Sequence, residues 1–246
     1  MRGLIISTLC ERWVKPVGIL AVIAMLLATC AGYGDKITRL KGELYFTRGI
    51  LKGEAELIGD WLVATGYFDS ATSKSVQIER ILDTVHFRFV IRPEFREEQD
   101  VERFMTLAAY EVSHLINDDR PAVAHISNNR FRSVKAVPLR IVRIGGEVIF
   151  TERVDAADAG SLAEFLRETG FFADTAVTTV LLDKGLRNYL FKFVSKPGIA
   201  DDASFRETAT TYARSLSRHV FDGAPVDFYF VDSLLITRRV IYFSDS

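Results

Sequence analysis

The sequence predicts an α+β protein in which one unit of about a hundred residues occurs twice in tandem. Residues 42–138 align with residues 146–242 at a constant offset of 104 positions and without a gap. Glycines, prolines and aromatic residues coincide in this alignment. Within each unit, segments with the apolar period of a helix alternate with segments that have the period of a strand. We therefore expect two similar folded units in succession.

The residues shared by the two units shape a backbone or fill a core, and they include no recognisable catalytic set. Identical pairs include Phe46 and Phe150, Gly66 and Gly170, Phe89 and Phe193, Ser113 and Ser217, and Pro121 and Pro225. The chain has 246 residues, of which 48% are apolar and 26% charged, as is usual for globular proteins. This length allows two ordinary domains, each with its own core.

The periodicity of each unit gives the order of its elements. In the first unit we expect strands at 43–47, 76–81, 85–92, 122–127 and 134–142, and helices at 54–65 and 97–116. In the second we expect strands at 148–151, 178–183, 189–196, 226–231 and 238–243, and helices at 158–169 and 203–220. Gly66 and Gly170 end the first helix of each unit as left-handed caps.

The order β-α-β-β-α-β, with one further strand, resembles the ferredoxin-like split βαβ arrangement. This resemblance implies mostly antiparallel sheets with both helices of a unit on one face. The whole chain then divides into four segments. These are a signal peptide or membrane anchor at 1–33, a linker at 34–41, repeat 1 at 42–144 and repeat 2 at 145–246.

The N-terminus has the pattern of an export signal. Residues 17–31 form an uncharged, mostly apolar run that follows Arg2, Arg12 and Lys15. A basic flank, a short apolar stretch and small residues at its end are typical of a secretory signal or apolar anchor helix. The run is shorter than the ~20 apolar residues that span a bilayer comfortably. The basic flank remains in the cytoplasm, which places the folded body on the other side of the membrane.

The apolar run ends in Leu27-Ala28-Thr29-Cys30, which resembles the bacterial lipobox. The resemblance implies that Cys30 is lipidated and becomes the mature N-terminus. An uncleaved signal anchor and ordinary cleavage near Ala31 are the alternatives. We therefore predict a protein of the cell envelope that is tethered to the membrane through this segment.

Composition excludes several kinds of function. The net charge is −1, so the sequence predicts no nucleic-acid partner. Both cysteines, Cys10 and Cys30, precede the folded body, which therefore has neither disulfides nor a cysteine metal site. The sequence contains no phosphate-binding glycine loop, dinucleotide fingerprint or HExxH motif, so we expect no cofactor.

The alternation of residues 85–92 predicts an outward polar face on the sheet. Phe87 and Phe89 belong under the helices, whereas His86 and Arg88 point away from them. The residues that we predict for an interaction face are His86, Arg88, Arg92, His125, Leu190, Lys192 and Tyr229. The positions from the second unit are more apolar. They favour contact between the two units, since tethered units have a high effective concentration for each other; a surface for another molecule is the alternative.

Other polar groups are better explained by structure than by chemistry. Glu111 and His114 have the spacing used in di-metal helix bundles, but the second unit offers no matching pair, so we predict a solvated helix face. His86 and His125 fall on neighbouring strands and could share an ion or a proton. The second unit has Leu190 in place of His86, so we predict surface histidines without a metal.

The sequence thus predicts an exported, membrane-anchored, non-catalytic protein that binds another protein of the bacterial cell envelope. An enzyme with its site at the junction of the repeats, drawing on His86 and His125, is the alternative. A module that only spaces an assembly is a third possibility. No catalytic residue is predicted, and the oligomeric state stays open.

Overall fold

A computed structural model of the chain describes residues 32–47, 49–172, 179–195, 198 and 201–243. The expected apolar signal or anchor helix, with its lipidation residue Cys30, lies outside these residues. Within them the protein is α+β, with two six-stranded sheets and four α-helices.

The first sheet has its six strands in sequence order. Its elements are β1 (Asp35–Arg39), β2 (Gly42–Phe46), α1 (Lys52–Ala64), β3 (Lys74–Ile81), β4 (Thr84–Val90), α2 (Gln99–Ile116), β5 (Ala122–Ser127) and β6 (Ser133–Pro138). A short 3₁₀ helix, Pro93–Phe95, precedes α2. The strand pairs joined by a helix, β2–β3 and β4–β5, are parallel, and the other three pairs are antiparallel.

The second sheet repeats this pattern. Its elements are β7 (Ile141–Arg143), β8 (Glu147–Phe150), α3 (Ala156–Glu168), β9 (Thr179–Lys184), β10 (Tyr189–Val194), α4 (Ala203–His219), β11 (Val226–Val231) and β12 (Thr237–Ile241). When shifted by 104 positions, α1 coincides with α3 and β5 coincides with β11. Parallel and antiparallel pairs also follow in the same order. The α+β class and the two-unit organisation are thus confirmed.

Each unit begins one strand earlier than the sequence pattern indicated. Residues 35–39, expected within a linker, form β1 and pair with β2. Residues 141–143, expected at the end of repeat 1, form β7 and pair with β8 in the second sheet. The expected extended run at 134–142 is therefore two strands, one in each sheet.

The strand order differs from the split βαβ arrangement. The two strands joined by each helix are direct neighbours, whereas a split arrangement has another strand between them. The two parallel pairs of a sheet run in opposite directions, and both helices cover the same face. The two crossovers of a sheet must therefore have opposite hands. In the split arrangement both crossovers can be right-handed, which is the hand that dominates in proteins. The order of elements along the sequence therefore favoured the split arrangement.

The core of each unit lies between the sheet and its two helices. In the first unit Leu44, Val76, Phe89 and Ile126 stand side by side across β2 to β5, and each is at most 1% exposed. The helix residues that cover this row include Ile58, Leu62, Ala108 and Val112. The alternation of β4 predicted this placement of its phenylalanines correctly, as well as the shared face of the two helices.

A glycine–phenylalanine contact that occurs in both units explains why Gly42 and Gly146 are identical. A Cβ atom on Gly42 would lie 2.2 Å from the ring of Phe68, and one on Gly146 would lie 2.3 Å from the ring of Phe172. Atoms that are not bonded cannot approach so closely. A glycine at the first residue of β2, and one directly before β8, therefore leaves room for a buried phenylalanine.

The two units stack so that helix α2 lies against the second sheet. Leu107, on α2, packs with Ile149 and Leu181 on the face of the second sheet opposite to its own helices. The molecule thus has four layers, in the order first sheet, α1 and α2, second sheet, α3 and α4. The apolar outer face of the second sheet is in large part the contact between the units, as the sequence favoured.

Candidate functional site

The residues predicted for an interaction face lie on two separate surfaces. His86, Arg88 and His125 lie on the outer face of the first sheet, which is the face opposite to α1 and α2. Leu190, Lys192 and Tyr229 lie on the outer face of the second sheet, at the junction of the two units. Arg92 follows β4 and is exposed to solvent. The predicted set is therefore not one continuous face.

His86 and His125 face each other on neighbouring strands. Nδ1 of His86 lies 3.0 Å from Nε2 of His125, and Nδ1 of His125 lies 2.9 Å from the hydroxyl oxygen of Ser133. Burial lowers the pKa of His125 to about 4, and the charge of Arg88 acts in the same direction. Burial also lowers the pKa of His86. The pair is therefore neutral at neutral pH, with one ring nitrogen donating a hydrogen bond to the other.

Arg88 is held in place by an ion pair. Its Nη1 lies 2.5 Å from Oε1 of Glu79, and the two side chains are 16% and 25% exposed. This ion pair neutralises the cation next to the two histidines. Arg88 is thus part of the framework of the outer face rather than a free surface charge.

An aromatic cluster occupies another part of the same face. The ring centroids of Tyr33 and Phe131 lie 4.9 Å apart, and those of Tyr45 and Phe131 lie 5.6 Å apart, both edge to face. Phe131 belongs to the loop between β5 and β6, which folds back over the face and buries the ring to 7% exposure. Within the described residues no helix covers this face. We call it the outer face of the first sheet, and its central row consists of Tyr45, Gln77, Arg88 and His125.

At the junction, Glu147 is buried between the units and receives several hydrogen bonds. The Tyr110 hydroxyl of α2 donates to Oε2 at 2.6 Å, and Nε of Arg143 donates to Oε1 at 2.9 Å. Burial by itself would raise the pKa of Glu147, but these hydrogen bonds outweigh burial and leave the pKa below its usual value. Only the packing of α2 shows that Glu147 joins the two units.

His114 lies in the same network, together with Asp119 rather than with Glu111. Nδ1 of His114 lies 2.6 Å from Oδ1 of Asp119, and potential ligand atoms of His114, Asp119 and Glu147 lie within 4.8 Å of one another. The guanidinium of Arg143 contacts both carboxylates, at 2.9 and 3.4 Å. A cation is therefore already present where a metal ion would bind, and this cluster is best described as an ion-pair network.

A cleft of about 460 Å³ opens between α2 and the second sheet. It is lined on one side by Asp100, Glu102, Arg103 and Thr106, and on the other by residues that include Thr151, Arg153, Leu181, Asp183, Lys184, Leu186, Leu190, Lys192, Tyr229 and Leu235. Three of the predicted face residues therefore line a cleft shared by both units. A cleft of this size can bury a small ligand.

Asp183 organises the floor of the cleft. Its carboxylate receives two hydrogen bonds from Arg153, at 3.0 and 2.8 Å, one from the Thr151 hydroxyl at 2.7 Å and one from the Lys184 backbone at 2.8 Å. Burial alone would raise the pKa of Asp183, but these donors outweigh it and lower the pKa. Sequence reasoning missed Asp183 and Arg153, although an acid within an apolar strand was a signal that could have indicated the first.

Lys192 points into the cleft beside Asp183. Its Nζ lies 3.6 Å from Oδ2 of Asp183 and 5.9 Å from the ring centroid of Tyr229, and its side chain is 17% exposed. Burial is the largest influence on this group and lowers the pKa of Lys192, while Asp183 partly opposes that shift. The distance to Asp183 exceeds a normal hydrogen bond.

Comparison with known proteins provides no relative for this chain. No protein-family model, no curated protein and no solved structure matches it. Among the helices of the described residues, none combines the length and apolar character needed to cross a bilayer.

Proposed function

We propose that this chain is an exported, membrane-tethered, non-catalytic binding protein of the bacterial cell envelope, and that the outer face of its first sheet contacts another envelope protein. The apolar run before the folded body, with Cys30 near its end, supports export and tethering. The single observation that carries the binding role is the outer face of the first sheet, where aromatic rings and a histidine pair lie side by side without a covering helix among the described residues.

The composition of this face suits contact with a protein. Tyrosine, phenylalanine and arginine are enriched in protein interfaces, and clustered rings supply much of the binding energy. Tyr33 is 42% exposed, so part of the aromatic cluster is accessible. The ion pair of Arg88 and Glu79 holds the surrounding strands in one arrangement, so little order has to be gained on binding.

Crosslinking in intact cells tests the proposal. A photoreactive residue in place of Gln77, on the outer face, is expected to capture one defined envelope protein. The same residue in place of Glu164, exposed on α3, is expected to capture none. Adding Tyr45→Ala to the Gln77 probe should reduce the adduct, whereas Tyr242→Ala, at a 70% exposed tyrosine, should leave it unaltered. Equal capture at both probe positions would contradict a specific contact.

An enzyme at the junction is the second candidate, and the cleft between α2 and the second sheet favours it. Its chemistry would not involve His86 and His125, because these lie on the side of the first sheet that faces away from the junction. Lys192 and Asp183 are the titratable pair within the cleft. A compound bound there is recovered unchanged if the cleft only binds, and is converted if it catalyses.

A further inference from the structure

The charged groups that face the junction cleft are almost fully paired with one another. Arg103 contacts Asp100 at 2.7 Å, and Arg153 contacts both Asp183 at 2.8 Å and Glu102 at 3.8 Å. At the rim, Lys184 donates to the Tyr189 hydroxyl at 2.7 Å and lies 3.9 Å from Asp158.

Lys192 is the exception among these cations. Its neighbour Asp183 already accepts four hydrogen bonds from other groups, which leaves the ammonium at 3.6 Å. Among the described residues, its further contact is the face of the Tyr229 ring. A partly buried ammonium has three donors, and a single carboxylate at 3.6 Å satisfies them poorly.

We propose that the junction cleft binds a small organic monocarboxylate with an apolar body, whose carboxylate accepts hydrogen bonds from the ammonium of Lys192. One incompletely paired cation matches one negative charge, so the geometry favours a monoanion over a phosphate dianion. This site is independent of the outer face of the first sheet and of any partner protein bound there.

The walls of the cleft explain why the ligand has an apolar body. The apolar residues that line it are Leu181, Leu186, Leu190, Tyr229 and Leu235. Leu186, in the turn between β9 and β10, is fully exposed, and a bound apolar group could cover it. Thr106, on the α2 wall, and Thr151, on the sheet wall beside Asp183, also line the cleft, and their hydroxyls donate to the Glu102 carbonyl and to Asp183.

Binding of a carboxylate also stabilises the charged form of Lys192. Burial lowers the pKa of this amine and so disfavours its charged form. A carboxylate within hydrogen-bond distance stabilises the charged form, and a charge-assisted hydrogen bond in a partly buried site is stronger than one between neutral groups. A bound carboxylate therefore gives the ammonium of Lys192 an acceptor within hydrogen-bond distance, which Asp183 at 3.6 Å is not.

The test uses 4-fluorobenzoate, with 4-fluorobenzamide as its uncharged analogue, added to the full chain in lipid nanodiscs and followed by ¹⁹F NMR. We expect saturable binding of the acid and at least about tenfold weaker binding of the amide, as the loss of one charge-assisted hydrogen bond requires. Lys192→Met should weaken binding of the acid by a similar factor. Lys192→Arg should retain it within a few-fold.

Lys52→Met is the matched control, since Lys52 is exposed on α1 and lies outside the cleft. It should leave binding unaltered, and circular dichroism should show that each variant folds. Equal binding of acid and amide, full binding by Lys192→Met, or tighter binding of inorganic phosphate than of 4-fluorobenzoate would each overturn the proposal. The loss of the crosslink at Gln77 would not, because that contact lies on another surface.

Discussion

Lys192 holds in the second unit the position that Arg88 holds in the first, and each pairs with an acid at an equivalent position of the neighbouring strand. Arg88 lies 2.5 Å from Glu79, and Lys192 lies 3.6 Å from Asp183. Lys192 follows Arg88 by 104 positions, and Asp183 follows Glu79 by the same number. In the first unit the pair stabilises a face without a covering helix among the described residues. In the second unit the same pair lies inside the junction cleft, because α2 packs over part of that face.

The hydrogen bond from Tyr110 to Glu147 should stabilise the junction of the units. Tyr110→Phe removes the hydroxyl and leaves a buried carboxylate with one donor fewer, so we expect a loss of about 1.5–3 kcal/mol in the free energy of unfolding. Urea denaturation measures this loss. Tyr212→Phe, which removes a hydroxyl from a more exposed contact with Thr169, should cost less. An equal cost for both variants would contradict the role of Glu147 at the junction.

The repeated glycine contact predicts opposite effects of alanine at two positions of the second unit. Gly146→Ala places a methyl group against the ring of Phe172 and should destabilise the protein by about 1–3 kcal/mol through overpacking. Gly160→Ala, in α3 with no atom within 4 Å, should stabilise it by about 0.5–1 kcal/mol. Thermal unfolding compares the two variants. If Gly146→Ala had a melting temperature equal to or above that of Gly160→Ala, the contact with Phe172 would not explain the glycine at position 146.

Protonation of His125 should make stability depend on pH. Its pKa is lowered to about 4 in the folded protein, by burial and by Arg88 and His86, while an unfolded histidine has a pKa of about 6.5. The unfolded chain therefore takes up a proton first as the pH falls. This contribution is constant above pH ~6.5 and reduces stability by about 2 kcal/mol by pH ~5.

Urea midpoints at pH 7 and pH 5 test this dependence. His125→Gln, which cannot titrate, should flatten the difference between the two midpoints, and NMR should show a neutral His125 ring at pH 5. A ring that titrates near pH 6.5 in the folded protein would refute the explanation.

Lipidation of Cys30 has a direct chemical test. Cells supplied with an alkyne-bearing fatty acid should label the wild-type chain and the Cys10→Ala variant, and should fail to label Cys30→Ala. Labelling occurs on the thiol or on the new amino terminus of that residue, so its loss is specific. An unlabelled wild-type chain that stays in the membrane fraction would instead support the uncleaved anchor.

Much of the unit was predictable because it depends on local periods. The alternation of β4 placed Phe87 and Phe89 in the core, and His86 and Arg88 on the outer face, correctly. The alternation of the two strands also predicted that His86 and His125 lie close together, since residues on the same face of neighbouring strands are adjacent. The order of strands within the sheet did not follow, because it depends on the hand of each crossover, which no local pattern encodes.

The cleft was harder to predict because its two walls are distant in sequence. Arg153 and Asp183 come from separate elements of the second unit, and Glu102 comes from a helix of the first. The stripe on α2 that faces its own core was visible in the sequence. The additional use of its other side, through Leu107 and Tyr110, became visible only when the second sheet was in place.

The sequence by itself determined that one α+β unit is present twice, which strand face lies under the helices and where the chain carries an export pattern. These features follow from periodicity and from an offset of 104 positions that needs no coordinates. The tertiary structure decided how the units meet, and hence that Arg88 supports a face without a covering helix among the described residues while Lys192 lies in a cleft. The physical reason is that two nearly equal units acquire different surroundings once one of them places a helix on the sheet of the other.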